Sequence, residues 1–136
     1  MTASLTKDSI DIGIVVKDAD AALGFYRDTL GFVDTGSMPM PGGGTMYRLL
    51  CGTTLVKLVA PDAELPARAP GGGIQGAYGY RYWTISVSNL DEITERCAAA
   101  GRKVVIGPRE IRPGVRISMV EDPEGNWVEF LDVTPA

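Results

Sequence analysis

Four polar residues of the sequence could carry out acid–base chemistry if the fold brings them together: Asp11, Lys57, Tyr82 and Glu129. The carboxylate of Asp11 or Glu129 can abstract a proton next to a carbonyl group. Tyr82 can then donate to the developing enolate oxygen, and Lys57 can stabilise its negative charge. The four residues predict a metal-independent isomerase, epimerase or lyase in which they are the catalytic groups.

The same residues could instead belong to the scaffold. An ion pair between Asp11 and Lys57, with a hydrogen bond between Tyr82 and Glu129, would satisfy all four groups. Removing one member of such a pair would leave its partner charged and unpaired, which lowers stability more than it changes turnover. The residue types alone leave both interpretations open.

Sequestration of a flat or cationic compound, such as an antibiotic or a metabolite, is the alternative function. Trp127 and Tyr47 offer aromatic surfaces on which a ring can stack, and the acidic side chains supply counter-charges. Arg48 and Arg116 lie in predicted strands and can bind a carboxylate of the small molecule. These aromatic and arginine residues are the substrate-binding candidates.

A metal-dependent lyase is the second alternative. Asp11, Glu129 and Tyr82 could bind Mg²⁺ or Mn²⁺ through oxygen atoms. The ammonium group of Lys57 in the same cluster would repel the ion. The sequence contains no histidine, which excludes His-containing zinc sites, the two-His-one-carboxylate iron site and nucleophiles activated by histidine. We therefore expect no metal and no cofactor.

Composition indicates one soluble globular domain. The chain has 136 residues, of which 45% are hydrophobic and 22% charged, enough to form one hydrophobic core. Its net charge of −4, without a basic cluster, argues against nucleic acid as a partner. No apolar run is long enough to span a bilayer, and the first residues lack the apolar segment of a signal peptide. We expect a cytoplasmic protein that binds no membrane.

The candidate residues belong to a pattern of elements that occurs twice. Each copy reads as a strand, a helix that ends at a glycine, and three further strands. Asp18 or Asp20 can cap the first helix, and Asn89, with Glu92 in a capping box, can cap the second. The predicted strands are 10–16, 32–38, 45–50 and 54–59 in the first copy, and 82–87, 104–106, 115–120 and 126–131 in the second.

Residues 8–60 and 80–134 therefore form two tandem βαβββ repeats, joined by a Pro/Gly-rich connector at 61–79. The predicted fold is α+β, with one curved mixed sheet around a cleft and the helices on its outer face. Side-chain alternation along the strands places the four candidate catalytic residues on the inner faces, at related positions of the two repeats. The glycine run 71–73 lacks the sequence context of a phosphate-binding loop.

Three segments carry a resemblance to a known family. They are Ile-Gly-Ile-Val-Val-Lys-Asp at 12–18, Phe-Tyr-Arg-Asp-Thr-Leu-Gly-Phe at 25–32 and Asp-Pro-Glu-Gly-Asn-Trp-Val-Glu at 122–129. With the repeat, they resemble the vicinal oxygen chelate superfamily, which includes glyoxalases, bleomycin-resistance proteins and extradiol dioxygenases. The resemblance extends over nearly the whole chain.

The resemblance implies where a metal site of the family would lie. Metal-binding members carry His at the start of the first strand of each repeat and Glu on the last strand. This sequence has Asp11 and Tyr82 in place of the two His, Lys57 on the last strand of the first repeat, and Glu129 at the position of the family's Glu. The superfamily also includes metal-free proteins that hold antibiotics.

We also expect a homodimer. Curved sheets built from two such repeats leave edges and apolar rims that a second chain can cover. This expectation rests partly on the resemblance. The partners implied are thus a small-molecule ligand or substrate and a second copy of the chain.

Overall fold

The computed structural model describes residues 2–134 and contains both predicted repeats. The first repeat comprises β1 (Ile12–Val15), α1 (Ala19–Leu23) continued by a π-helix (Gly24–Thr29), β2 (Val33–Pro39), β3 (Thr45–Cys51) and β4 (Thr54–Ala60). The second comprises β5 (Tyr82–Ser86), α2 (Leu90–Ala99), β6 (Val104–Arg112), β7 (Val115–Glu121) and β8 (Trp127–Val133). The α+β fold with two tandem βαβββ units is confirmed.

The strands form two four-stranded mixed sheets, one from each repeat. The first sheet has the order β1-β4-β3-β2 and the second has the order β5-β8-β7-β6. In each, the strand before the helix pairs in parallel with the last strand, and the other pairs are antiparallel. We expected one continuous curved sheet, but in residues 2–134 no strand pairing joins the two sheets. The repeats are instead joined through side chains and helices.

The helix-covered faces of both sheets belong to one hydrophobic core. Val56 and Leu58 of β4 and Val128 and Phe130 of β8 are buried in it, together with Tyr26 of the π-helix. Because side chains alternate along a strand, the residues between these positions lie on the opposite faces. We call these opposite faces, which are turned away from the helices, the open face of each sheet.

The first helix begins as predicted and ends differently. Asp18 is its N-cap, and the Oδ1 atom accepts a hydrogen bond of 3.0 Å from the Ala21 amide. The helix then widens into the π-helix, where the Leu30 amide donates to the Phe25 carbonyl. Gly31 follows with a φ of 82°, a conformation that glycine adopts without strain.

Two predictions for the second repeat need correction. Asn89 occupies the N-cap position of α2, but its side chain forms no capping hydrogen bond. Its ψ of 52° departs from the extended conformation that directs a cap toward the free amides. Strand β6 extends to Arg112 instead of ending at Ile106, because an irregular register between Ile106 and Arg109 accommodates the intervening Gly-Pro sequence. No described helix is long and apolar enough to cross a membrane.

The turn between β7 and β8 connects the two repeats. The Glu124 Oε1 atom accepts hydrogen bonds from the backbone amides of Lys17, at 2.7 Å, and Asp18, at 3.3 Å. Its Oε2 atom accepts one of 2.6 Å from Arg68 of the connector. One carboxylate of the second repeat thereby fixes both the start of the first helix and the connector.

Candidate functional site

The open face of the second sheet carries a carboxylate among apolar side chains. Glu129 of β8 lies opposite Met119 of β7, and Leu131 follows two residues along the strand. Met119 is buried, although it does not belong to the shared core. Glu129 is a half-buried acid with apolar neighbours.

Thr84 is the hydrogen-bond partner of this carboxylate. Its hydroxyl group donates to the Glu129 Oε1 atom at 2.8 Å, from the position opposite Glu129 on β5. Among the described residues, Glu129 forms no ion pair with a lysine or an arginine. The carboxylate is thus oriented by a neutral donor and is not neutralised by a cation.

Asp11 has a different environment. Its Oδ1 atom lies 2.6 Å from Lys7 Nζ and accepts a hydrogen bond of 2.9 Å from the Leu55 amide. The hydrogen bond from Lys7, followed by that from Leu55, holds the pKa of the Asp11 carboxyl below its ordinary value. A carboxylate stabilised in this way is a weak proton acceptor. Asp11 is consequently less suited than Glu129 to act as a general base.

The four candidate catalytic residues fall into two pairs, one in each repeat, and Asp11 lies directly before β1 instead of within the predicted strand 10–16. Lys57 lies on the open face of the first sheet, in register with Gly13, two residues after Asp11. Tyr82 is exposed on β5, two residues before Thr84. Within residues 2–134 no hydrogen bond or ion pair joins members of the four. The described residues thus form neither an Asp11–Lys57 ion pair nor a Tyr82–Glu129 hydrogen bond, and convergence of the four residues in one cleft stays a prediction.

The substrate-binding candidates are scattered. Arg48 lies beside Lys57 on the open face of the first sheet. Tyr47, its neighbour in sequence, packs instead against the core. Arg116 makes two hydrogen bonds of 2.9 Å to the Asp91 carboxylate on α2, so it lies on the helix-covered face of its sheet. Only Arg48 shares a face with a candidate catalytic residue of the first repeat.

Trp127 lies on the open face of the second sheet, but it is not free to stack on a ligand. The backbone of Gly73, from the connector, lies directly against its indole ring. The indole nitrogen donates a hydrogen bond of 3.3 Å to Glu121 Oε2. The sequence signal for this cover was the glycine run 71–73, whose packing role is visible only in three dimensions.

In metal-binding members of the superfamily that the sequence resembles, the metal ligands lie at the positions of the four candidate catalytic residues. The side chains present at these positions do not fit a divalent ion. Lys57 supplies a cation, and Asp11 is already bound to the ammonium of Lys7. Within the described part of the chain, no three His, Cys, Asp or Glu side chains lie together as a metal site would require.

The sequence analysis did not identify two residues that contact the candidate carboxylates. Thr84 and Tyr82 alternate onto the same face of β5, but the pairing of Thr84 with Glu129 depends on the register between β5 and β8. Lys7 lies outside every predicted element, four positions before Asp11. Face alternation could have identified Thr84 as a neighbour of the site, whereas no pattern indicated Lys7.

A surface groove of about 810 Å³ lies elsewhere, at the start of α1. Lys17, Asp18, Tyr47, Arg68 and Glu124 are among the residues that line it. Its central carboxylate, Glu124, is occupied by bonds to Lys17, Asp18 and Arg68. The groove therefore contains the contact between the repeats and not the candidate catalytic residues.

Comparisons with known proteins agree with this fold. Residues 9–130 match the model of the Glyoxalase/Bleomycin resistance protein/Dioxygenase superfamily. A curated relative from Mycobacterium bovis, named "Putative glyoxylase CFP32", is 28% identical over 116 residues, which are 84% of this chain and 41% of the relative. The chain thus spans less than half the length of that relative.

Solved structures show the same fold at low sequence identity. A glyoxalase family protein from Bacillus cereus has a TM-score of 0.82 at 17% identity, covering 97% of this chain and 100% of that one. TnmS3, described as an antibiotic binding protein from a Streptomyces species, has a TM-score of 0.68 at 21% identity, covering 96% and 100%. The chain belongs to the Glyoxalase/Bleomycin resistance protein/Dioxygenase superfamily, a group of vicinal oxygen chelate proteins.

Proposed function

We propose that this protein binds a small organic molecule at the open faces of its sheets and transfers a proton through Glu129, as a metal-independent isomerase or lyase. One observation carries the proposal. Glu129 is a half-buried carboxylate that lies beside the buried Met119, accepts a hydrogen bond from Thr84 and has no cationic partner among the described residues. A general base needs such access to its lone pairs.

The reaction consists of proton abstraction next to a carbonyl group. Glu129 takes the proton, and the electron pair of the broken C–H bond forms a C=C bond as the carbonyl π pair moves to oxygen. Return of the proton to another carbon completes an isomerisation, and departure of a group from the neighbouring carbon completes an elimination. Lys57 and Tyr82 are the candidate donors to the enolate oxygen.

A second copy of the chain completes the cleft. Asp11, directly before β1, and Lys57 belong to the first repeat, Tyr82 and Glu129 belong to the second, and the open faces are turned away from the shared core. Pairing of the first sheet of one protomer with the second sheet of its partner would bring both pairs together. Light scattering at micromolar concentration should report a homodimer. A monomer at all concentrations would contradict this part of the proposal.

Hydrogen–deuterium exchange tests the chemistry without knowledge of the natural substrate. We would incubate the protein in D₂O with small 2-oxo acids, hydroxyketones and β-keto acids, and follow the C–H signal next to the carbonyl by NMR. Glu129→Gln should lower the exchange rate by about a hundredfold or more, as expected for loss of a general base. Asp132→Asn, on the same strand but in register with Arg116, is the matched control and should exchange normally.

The Asp11→Asn variant tests which of the two carboxylates, Asp11 or Glu129, is the general base. Because Lys7 and the Leu55 amide already stabilise the Asp11 carboxylate, this variant should retain most of the exchange activity. A loss as large as that of Glu129→Gln would assign the base to Asp11. Equal exchange by the parent protein and Glu129→Gln would reject the proton-transfer role.

Sequestration is the second candidate function, favoured by the apolar surroundings of Glu129. A carboxylate beside Met119 and Leu131 can bind the cationic group of a flat molecule while its apolar part contacts the side chains. The antibiotic-binding description of TnmS3, which shares the fold, is consistent with such a role. In this case Glu129→Gln should weaken ligand affinity, and neither form should exchange protons.

A further inference from the structure

The glycine-rich segment 70–76, which we call the strap, packs against Trp127 on the open face of the second sheet. Gly73 approaches the indole ring of Trp127 so closely that an added Cβ would collide with the ring. Gly72 and Gly73 have φ angles of 85° and 54°, which glycine adopts at little cost. A Cβ on Gly76 would collide with the Gly71 carbonyl. Gly73 and Gly76 are therefore required for this close packing.

Arg81, the residue before β5, holds the strap in place. Its Nε atom donates to the Gly73 carbonyl at 2.7 Å. Its Nη2 atom donates to the carbonyls of Pro70, at 2.7 Å, and Gly71, at 2.9 Å. A guanidinium group directed at three backbone carbonyls fixes a short loop with little freedom. Gly73 contacts the Trp127 ring, and Arg81 holds the backbone of the strap in position for this contact.

The strap limits the apolar surface next to Glu129, because it covers the indole ring of Trp127. Trp127 and Glu129 are two residues apart on β8, so their side chains lie on the same face. Trp127 is only 7% exposed, because Gly73 occupies the ring face on which a ligand would stack. Without the strap, a carboxylate and an indole face would lie side by side, which is the combination that binds aromatic cations.

We propose that Gly73 and Arg81 are specificity-determining residues, which hold the strap on Trp127 so that the site at Glu129 accepts narrow cationic or polar molecules and excludes wide aromatic ones. This inference rests on the proposed binding role of Glu129. In this arrangement the strap forms a wall of the site. Arg81 positions the strap and does not contact the substrate.

Quenching of Trp127 fluorescence tests the strap independently of any ligand. Trp83 is the other tryptophan, and Trp83→Phe removes it without loss of a hydrogen bond, since its Nε1 has no partner among the described residues. In this background acrylamide should quench Trp127 weakly. Gly73→Ala should increase quenching severalfold. Gly71→Ala is the matched control, because a Cβ there meets no atom and its φ is not in the left-handed region.

A second variant covers the case in which Gly73→Ala does not fold. Arg81→Met keeps the length of the side chain but loses the bonds to the three strap carbonyls, so it should also raise quenching. Strong quenching of the parent protein would overturn the inference. Unchanged quenching in folded Gly73→Ala and Arg81→Met would overturn it as well.

Two probes of different width test specificity by calorimetry. Benzyltrimethylammonium carries one ring, whereas ethidium carries a wide fused ring system. The ratio of affinities should shift toward ethidium by about tenfold in Gly73→Ala and Arg81→Met, the gain that one partly desolvated cation–π contact provides. Gly71→Ala should keep the parent ratio. An unchanged ratio, or no binding of ethidium by the opened variants, would overturn the specificity role.

Glu129→Gln distinguishes failure of the inference from failure of the proposed function. If this variant binds both cations as tightly as the parent protein, Glu129 is not the ligand contact and the binding role proposed for it fails. The quenching result for Gly73→Ala would still decide whether the strap covers Trp127. If Glu129→Gln loses both probes while the ratio shifts in the opened variants, both proposals are supported.

Discussion

The phenol group of Tyr26 donates a hydrogen bond of 2.6 Å to the Oδ2 atom of Asp122, and both residues are buried. Tyr26 belongs to the π-helix of the first repeat, whereas Asp122 begins the turn between β7 and β8 of the second. Asp122 also accepts hydrogen bonds from the amides of Glu124 and Asn126. One carboxylate therefore both shapes the turn and attaches it to the first repeat.

Tyr26→Phe should lower the free energy of unfolding by about 1.5–3 kcal/mol, because the lost hydrogen bond involves a buried charged acceptor. Urea unfolding followed by circular dichroism measures the change. Tyr78→Phe is the matched control, since the Tyr78 side chain is fully exposed and should change stability by less than about 0.5 kcal/mol. Equal effects of the two substitutions would show that the Tyr26 hydroxyl contributes nothing.

Stability should fall at alkaline pH in a manner that depends on Tyr26. Burial, followed by the neighbouring Asp122 carboxylate, raises the pKa of Tyr26 well above its ordinary value of 10.0. The neutral phenol is thus favoured in the folded state, so its contribution is complete below pH 10 and is lost as the pH rises toward the folded pKa. The difference in stability between the parent protein and Tyr26→Phe should shrink above pH 10. A constant difference would contradict this assignment.

Glu124→Gln should destabilise the protein more than Arg68→Met. Burial opposes ionisation of Glu124, but the bonds from the Lys17 and Asp18 amides and from Arg68 outweigh it and lower its pKa below 4.5. Its contribution is therefore present above pH 4.5 and is lost as the pH falls through the folded pKa. We expect a loss of about 1–2 kcal/mol for Glu124→Gln at neutral pH.

Arg68 is the comparison because its side chain is 60% exposed, and exposed ion pairs contribute about 0–1 kcal/mol. Thermal unfolding of the two variants at pH 7 and pH 3 measures both effects. A larger loss in Arg68→Met than in Glu124→Gln would show that the ion pair, and not the backbone amides, holds the turn.

Thr84→Val should impair the proposed base without changing the fold. The substitution keeps the β-branched shape but removes the hydroxyl that donates to Glu129 at 2.8 Å. Loss of a hydrogen bond to a charged group is worth about 1.5–3 kcal/mol, so the proton-exchange rate should fall about tenfold or more. Thr84→Ser retains the hydroxyl and should keep most of the activity. Equal rates in the two variants would show that Thr84 does not orient Glu129.

Much of the fold could be predicted from short-range features of the sequence. Alternation along β4 and β8 correctly assigned Lys57 and Glu129 to the face opposite Val56 and Val128. The cap at Asp18 was also predictable. These features depend on residues a few positions apart, because strand alternation and helix capping follow from local backbone geometry.

The sequence by itself determined the repeat, the two classes of sheet face and the presence of Glu129 among apolar neighbours. Only the tertiary structure showed that Lys7 forms an ion pair with Asp11 and that Asp91 forms one with Arg116. The packing of Gly73 against Trp127 was likewise visible only there. The physical reason is that each of these partners is selected by distance in space, through charge or close packing. Such pairing has no period along the chain, so no local pattern can indicate it.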